Sequence, residues 1–507
     1  MNLMSMFERQ VLERPDKTAL IFGEEHYTYA RLNAGINRCA SALRALGVTR
    51  QKRVAITARN SDLYLQALLG CLKLGAIPCV LNCRLSQKEL GRVVRGEDMH
   101  LILFDANANP PAAPGSLSVS LDDAQDGPSL RSLMAEQAAD FPLAEAAPGD
   151  IALELFTTGT TGLPKGVLHT HGGLLYYTLS LAYNAAWTAS EIYQTASPLF
   201  HISGFSAVIC LLTGGTLILK DHFDLHDFLR TASLYRATRL SLQPVLISRV
   251  LESGALNDYD LSAVRKIVYG GAPMPPAVID EALKCFSCEF EQIYGTSEIC
   301  SLTILPWKWH FPSPQDPQGQ RRYSVGLPNA GMEVRIIRSD GTRCAPGKLG
   351  EIIVRTPAVM KGYSNNESAT RSALRDGWYY TGDIGYLDHF GFLYVVDRKY
   401  DLIISGGENI CPKEVESCIG GLTGRISQVA VLGMCDPVWN EVPVAFVVRA
   451  KGSDITAEEI LRYCRANIAA YKVPKKIVFM EKLPYYPSGK VVKHELKKYL
   501  NGSSNQS

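Results

Sequence analysis

No Gly-x-Gly occurs anywhere in this chain, which excludes the dinucleotide-binding fingerprint. The Gly-x-x-x-x-Gly-Lys-Ser/Thr loop of nucleoside triphosphatases is missing as well. At the nearest candidate Pro164 stands where the second glycine belongs, and Gly166 follows the lysine. Neither sign of charge predominates. A net charge of +2 with 20% charged residues gives no reason to expect nucleic acid or an anionic membrane as partner. The longest uncharged run, Ile202 to Leu219, is broken by Gly214-Gly215, so it reads as a buried helix, a turn and a strand (Thr216–Leu219) rather than a membrane span. Glu8 and Arg9 interrupt Met1–Phe7, so no secretory apolar region forms there, and Ser504–Ser507 carries no peroxisomal or reticulum address. The 13 cysteines, an odd number scattered over a long chain, fit reduced thiols. Together these features predict a cytoplasmic protein. The lone Cys285-Phe286-Ser287-Cys288 has no second pair at zinc-ribbon spacing and reads as small buried residues at a helix end. There is no internal repeat.

What the chain does have is the run Leu155-Phe156-Thr157-Thr158-Gly159-Thr160-Thr161-Gly162-Leu163-Pro164-Lys165-Gly166-Val167. Its glycines let backbone N–H groups turn toward a ligand, its four threonine hydroxyls donate hydrogen bonds, and Lys165 adds a point charge. An apolar strand (151–156) precedes it and 167–170 reads as a second strand. The predicted ligand is a polyphosphate; a solvated polar turn is the alternative for a Thr/Gly cluster standing alone.

At 507 residues two or more domains are expected. The first half alternates helix and strand. Thr28 caps a helix running to about Leu46, Val54–Thr57 is a strand, Asn60 caps a helix over 61–74 ended by Gly75, and Ala76–Leu81 is the next strand. This βαβ unit predicts a parallel sheet. Residues 105–148, rich in Ala, Pro, Asp and Ser, read as a loose connection. The pattern resumes with helix 172–185, strands 238–241 and 266–269, helix 275–285 and strand 289–293. From Gly331 short alternating strands predict a small β-rich subdomain. Beyond Asp397 follows a compact mixed segment: strand 401–404, helix 412–418, strands 428–433 and 443–449, and helix 456–469.

The Ser/Thr/Gly-rich loop closed by Pro164-Lys165-Gly166 resembles the signature of the adenylate-forming superfamily, which includes acyl-CoA synthetases, nonribosomal adenylation domains and luciferases. Further motifs follow in that family's order: Gly270-Gly271-Ala272-Pro273, Tyr294-Gly295-Thr296-Ser297-Glu298, Tyr380-Thr381-Gly382-Asp383 with Asp397-Arg398, and Pro487-Ser488-Gly489-Lys490. The resemblance covers essentially the whole chain. It implies an α/β protein with a large N-terminal domain (1–398) of parallel-rich sheets flanked by helices, including the small β-rich subdomain. A hinge (399–401) would join this to a small mobile α+β C-terminal domain (402–507).

By that resemblance Thr157, Thr158, Gly159, Thr160, Thr161 and Lys165 cradle the phosphates of ATP. Gly270, Gly271, Ala272 and Pro273 line the adenine, Tyr294 and Gly295 lie against it, and Ser297 reaches the α-phosphate. Glu298 holds Mg²⁺, Asp383 clamps the ribose hydroxyls, and Arg398 adds a cation near the ribose. Lys490 is the catalytic lysine, which stabilises charge built on the α-phosphate oxygens as a carboxylate attacks. Ser405-Gly406-Gly407-Glu408-Asn409 looks like the loop lining the pantetheine channel of CoA. Trp439, in Trp439-Asn440-Glu441, reads as a CoA contact or as packing. The family's hinge position is Tyr400 here, where Asp or Lys is usual, with Asp401 next; either the pivot accepts tyrosine or it has moved by one residue.

Pro198-Leu199-Phe200-His201 resembles the segment in which His201 sits between the acyl pocket and ATP. Amino-acid-activating relatives carry an aspartate at that point to pair an α-ammonium, and a buried unpaired ammonium is costly. A carboxylic acid without an α-amino group is therefore expected. Its pocket would draw on His201, Phe205, Gln243, Gly270, Gly295 and the stretch 299–303, including Ile299 and Thr303. Alkyl tunnel and aryl slot both remain open. The expected enzyme is an acyl-CoA synthetase using ATP, Mg²⁺ and CoA, with a carrier-protein phosphopantetheine as the alternative acceptor. No Gly-Gly-x-Ser attachment segment follows the C-terminal segment.

Overall fold

A computed structural model describes the chain except for residue 1 and residues 106–107, 109, 112–114, 124–127, 158–163, 273, 399–402, 406–407, 411, 437–438, 469, 486–490 and 503–507. It divides into two compact units: Met1–Val334 with Val354–Tyr379, and Arg335–Ile353 with Tyr380–Ser507.

Two sheets organise the first unit. One has seven strands in the order Gly362–Tyr363, Lys165–Thr170, Ile151–Thr157, Ile77–Val80, Arg53–Thr57, Leu101–Phe104, Leu117–Ser120. The five from Ile151–Thr157 onward are parallel, and the first two are antiparallel additions. The other has nine strands, of which six are parallel neighbours in the order Glu289–Tyr294, Lys266–Gly270, Arg239–Ser241, Ile192–Thr195, Thr216–Leu219, Thr18–Phe22. Strands such as Ile77–Val80 and Thr216–Leu219 are buried along their whole length, as parallel strands covered on both faces must be.

The expected βαβ unit is present. Thr28 caps helix Tyr29–Ala45 through its hydroxyl, and Gly75, at φ +77°, ends helix Asp62–Leu74. The cap of that second helix is Ser61, which accepts from the Tyr64 N–H, and not Asn60 as expected. The Asn60 amide instead bridges the sheets: Nδ2 donates to the Ser197 and Lys220 carbonyls at 2.9 and 3.0 Å, and Oδ1 accepts from the Leu199 N–H at 2.8 Å. The long uncharged run folds as helix Phe205–Leu212, a turn at Gly214, and strand Thr216–Leu219. Among the described residues no helix is long and apolar enough to cross a membrane.

Two further expectations are corrected. The 105–148 stretch is not loose throughout: Leu117–Ser120 adds in parallel to Leu101–Phe104, and Ser129 caps helix Leu130–Ala135 with a reciprocal capping box. An edge strand needs only one apolar face, and alternation over four residues is easily lost among polar neighbours. The CxxC cysteines are not both buried, since Cys285 ends helix Pro276–Cys285 exposed and Cys288 is half-buried.

The β-rich segment forms a five-stranded sheet ordered Glu333–Ile337, Gly350–Arg355, Trp378–Leu387, Leu374–Arg375, with Leu393–Arg398 also paired to Trp378–Leu387. The C-terminal segment has its own sheet: Glu408–Ile410, Ile403–Ser405, Asn440–Arg449 and Ile426–Asp436, with Lys476–Phe479 on Asn440–Arg449. Strand Asn440–Arg449 is apolar on both faces. Ala445 and Val447 join a core with Val415, Ile419 and Ile460, and Val444 and Phe446 join another with Leu483 and Leu496. Period-two alternation thus serves two helical layers at once.

Candidate active site

Four neighbouring parallel strands of the nine-stranded sheet end beside one another: Ile192–Thr195, Arg239–Ser241, Lys266–Gly270 and Glu289–Tyr294. The segments that follow them carry His201 and Phe205, Gln243, Gly271 and Ala272, and Gly295 to Glu298. These sequence-predicted residues therefore share the carboxyl edge of one parallel sheet, where open α/β folds bind ligands.

Backbone crowding explains two glycines of this edge. Gly270 pairs with Ile293, and a methyl group on it would lie 2.2 Å from the Ile293 carbonyl oxygen. On Gly295 it would lie 1.7 Å from the carbonyl oxygen of Cys300. The turn from Tyr294 is closed by the Leu302 N–H donating to the Tyr294 carbonyl at 2.7 Å, with Cys300 in the left-handed region at φ +60°. The turn presents Ser297 and a half-buried Glu298.

The strands on either side of the phosphate loop form a hairpin pair. Ile151–Thr157 and Lys165–Thr170 are antiparallel, with Thr157 opposite Lys165. The short strand Gly362–Tyr363 pairs with the hairpin's outer strand, Tyr363 opposite Val167. Tyr363 then reaches both halves of the site. Its hydroxyl donates to Glu298 Oε1 at 2.8 Å, and the Lys165 Nζ sits 5.2 Å from its ring centroid. The Glu298 carbonyl accepts from the Met360 N–H at 2.7 Å. His169 Nε2 lies 2.7 Å from the Ser297 carbonyl. Burial pushes the His169 ring down to about 4, so it is neutral at physiological pH; a carbonyl can only accept, so Nε2 carries the proton. Tyr379 is buried against Glu298, and burial and then that carboxylate push its hydroxyl well above the usual tyrosine range.

On the side of the predicted acid pocket, His201 is half-buried, its N–H donating to the Pro198 carbonyl at 3.1 Å and its ring edge-on to Phe200 at 4.7 Å. Phe205 is buried 6.0 Å from the Tyr177 ring. Gln243 stands at the N-terminus of helix Pro244–Ser253. Ile299 and Thr303 are buried, and the Thr303 hydroxyl donates to the Val325 carbonyl, a bond that occupies its polar end.

The other unit holds the remaining described candidates. Asp383 is buried, its N–H donating to Thr381 Oγ1 at 3.0 Å, and it pairs across strands with Arg398. Ser405 pairs with Asn440, so the paired strands Ile403–Ser405 and Glu408–Ile410 adjoin the hairpin carrying Trp439. Trp439 is 50% exposed, which argues against a packing role. Thr158, Gly159, Thr160, Thr161, Pro273, Tyr400, Gly406, Gly407 and Lys490 lie outside the described residues.

Glu298 supplies a single carboxylate, and no group of three or more His, Cys, Asp or Glu side chains forms a metal cage among the described residues. That donor set suits Mg²⁺, which is ordinarily held by one or two carboxylates with phosphate oxygens and water completing the shell.

Sequence reading missed Tyr363, Tyr379 and His169. Lys361-Gly362-Tyr363-Ser364 carries no distinctive composition, and its importance comes from pairing with a hairpin nearly 200 residues earlier.

Comparison with known proteins agrees with this geometry. A model described as AMP-binding enzyme matches residues 7–364, and one described as AMP-binding enzyme C-terminal domain matches residues 414–490. Feruloyl-CoA synthase of Amycolatopsis sp is 34% identical over 499 residues, covering 97% of both chains. Long-chain-fatty-acid–CoA ligase FadD13 of Mycobacterium tuberculosis is 32% identical over 481 residues, covering 94% of this chain and 93% of that protein. The structure of o-succinylbenzoate CoA synthetase (MenE) from Bacillus subtilis with ATP and magnesium ion superposes with a TM-score of 0.84 at 31% identity, covering 97% of this chain and 99% of that one. With the phosphate-loop hairpin, the Tyr294–Glu298 turn and both family models on one chain, this protein belongs to the AMP-binding enzymes, as an AMP-forming acid–CoA ligase.

Proposed function

We propose that the enzyme activates a fatty or aryl carboxylic acid lacking an α-amino group, forms its acyl-adenylate from ATP, and transfers the acyl group to CoA in the cytoplasm. The observation that carries this reading is the sheet edge at which Ser297 and Glu298 follow one strand and His201 another of the same sheet, with Tyr363 linking Glu298 to Lys165 of the other sheet. Having histidine where amino-acid-activating relatives carry aspartate supports an acid without an ammonium.

In this reading Thr157 to Thr161 and Lys165 bind and orient the phosphates. Gly270 to Pro273, Tyr294 and Gly295 seat the adenine, Asp383 and Arg398 hold the ribose, and Ser297 aligns the α-phosphate. Glu298 would hold Mg²⁺, which when bound neutralises the departing pyrophosphate. A carboxylate oxygen attacks the α-phosphorus, forming the new P–O bond as the bond to pyrophosphate breaks. Lys490 stabilises the added charge on the phosphate oxygens, where a fixed cation is worth most in a water-excluded site. The thiol then displaces AMP from the acyl carbon, with Gly406, Gly407 and Trp439 beside the pantetheine arm. We place the functional boundary at 399–401, about Tyr400, so that the C-terminal domain (402–507) presents Lys490 in the first half-reaction and the CoA segments in the second.

The test is thioester formation over fatty acids of graded length and simple aryl acids, with CoA and a holo-carrier protein run in parallel. Acyl-CoA from one class of acid supports the reading. Thioester on the carrier alone would move the acceptor assignment, and activity only with amino acids would overturn the His201 argument.

A further inference from the structure

Lys165 and Glu298 carry opposite charges at one site, yet no ion pair joins them among the described residues. Direct pairing would spend each on the other before a nucleotide arrived. The side chain of Tyr363 contacts both. Its hydroxyl donates to Glu298 Oε1 at 2.8 Å, a charge-assisted hydrogen bond that fixes the carboxylate rotamer. Its ring lies 5.2 Å from the Lys165 ammonium, within the range at which an aromatic quadrupole attracts a cation. One phenol thus gives the cation and the anion separate stations.

Tyr363 is itself held from several directions. Its N–H donates to Thr370 Oγ1 at 2.9 Å, and its strand pairs with Val167 and Leu168 directly after the phosphate loop. The next residue is bolted to the hairpin and to the sheet below. The Ser364 N–H donates to the Gly166 carbonyl at 2.7 Å, and its hydroxyl accepts from Arg53 Nη2 at 3.0 Å and donates to Glu97. Arg53 in turn pairs at 2.9 Å with Glu154, a fully buried carboxylate on the strand leading into the loop. A methyl group on Gly166 would strike Glu154 Oε1 at 2.2 Å, so the backbone that carries Lys165 is in direct contact with this network.

We propose that Tyr363 is a positioning residue of the nucleotide site, its hydroxyl fixing Glu298 for the metal-bound nucleotide and its ring seating Lys165 for phosphate. This rests on the assignment of Glu298 to Mg²⁺ made above. The two contacts belong to different parts of one side chain, so they separate by substitution. Tyr363→Phe removes the hydroxyl and keeps the ring seat; Tyr363→Leu removes both.

The experiment is calorimetric binding of ATP to the full chain, once with Mg²⁺ and once with EDTA, for wild type, Tyr363→Phe, Tyr363→Leu and Glu298→Gln. Tyr363→Phe is expected to weaken binding about tenfold or more in the Mg²⁺ arm, the scale of a lost hydrogen bond to a charged group, and to leave the EDTA arm within about twofold. Tyr363→Leu should weaken both arms; if it fails to fold, the two arms of Tyr363→Phe still decide. Wild-type affinity of Tyr363→Phe in both arms, or an equal loss in both, would overturn the proposal. Glu298→Gln separates the two layers of the argument. If it keeps the full Mg²⁺ enhancement, the metal assignment of Glu298 is wrong; if it loses the enhancement while Tyr363→Phe keeps it, Tyr363 alone is misassigned.

Discussion

Alanine at Gly295 would place its methyl carbon 1.7 Å from the Cys300 carbonyl oxygen, 2.8 Å from that carbonyl carbon and 2.9 Å from the Ser301 Cα. All three are backbone atoms, so no side-chain rotation relieves the clash. To reach 3.0 Å, below which such contacts are essentially unseen, the carbonyl must retreat by about 1.3 Å. Cys300 has little freedom to do so. It already holds φ +60°, and the turn is closed by the Leu302 to Tyr294 hydrogen bond at 2.7 Å. The displacement is therefore expected to reach Ser297 and Glu298, which lie between the two crowded residues. Overpacking of this kind destabilises by about 1–3 kcal/mol, and a shift of roughly 1 Å in a positioned group lowers rate on the order of a hundredfold. Gly295→Ala should thus fold with a modestly lowered unfolding midpoint and lose about two orders of magnitude in acid-dependent exchange of pyrophosphate into ATP. Gly254→Ala, at the end of helix Pro244–Ser253, is the control. At φ +69° it carries backbone strain but meets nothing within 4 Å, so its loss of exchange should be much smaller. If Gly295→Ala kept more than about a tenth of the exchange rate, the turn would not be the rigid element described here.

Other perturbations follow from the same site. Arg53→Met leaves the buried Glu154 carboxylate without its ion-pair partner and should lower stability by about 3–5 kcal/mol in denaturant titration, whereas the double substitution Arg53→Met with Glu154→Met should recover most of it; equal losses would refute the pairing. Burial chiefly, with the nearby Glu154 charge, pushes Glu97 up to about 7 against the lowering effects of Ser364, Arg53 and Asn365. Because the folded value lies above the unfolded one, the stability Glu97 contributes is present below about pH 4 and is lost as pH rises through about 7. The melting temperature of Glu97→Gln should therefore gain on wild type between pH 5 and pH 8, and a constant difference would contradict this. Lys490→Ala should abolish acyl-adenylate formation yet spare thioester synthesis from supplied acyl-adenylate; equal loss of both half-reactions would count against alternation of the C-terminal domain.

Much of the fold was legible because its signals are local. Thr28 and Gly75 bound their helices as their chemistry requires, and Gly214-Gly215 marked the break that divides helix Phe205–Leu212 from its strand. Asn60 misled because asparagine and serine both cap helices. Only the tertiary structure shows that the longer amide is needed by Ser197, Leu199 and Lys220, leaving Ser61 to cap. The candidate motif residues stood out in the sequence as short runs, several of them following strands. Their supporting residues did not: Tyr363 meets Glu298 across 65 positions and Ser364 meets Glu97 across 267. A pairing that distant leaves no periodicity to read.

The central claim is that a carboxylate oxygen of the acid attacks the α-phosphorus of ATP. Supplying an accepted acid labelled with ¹⁸O in its carboxylate, with ATP, Mg²⁺ and CoA, and weighing the products by mass spectrometry tests it directly. The account predicts one labelled oxygen in AMP and none in pyrophosphate. Label appearing in inorganic phosphate alongside ADP, or unlabelled AMP accompanying acyl-CoA, would contradict it.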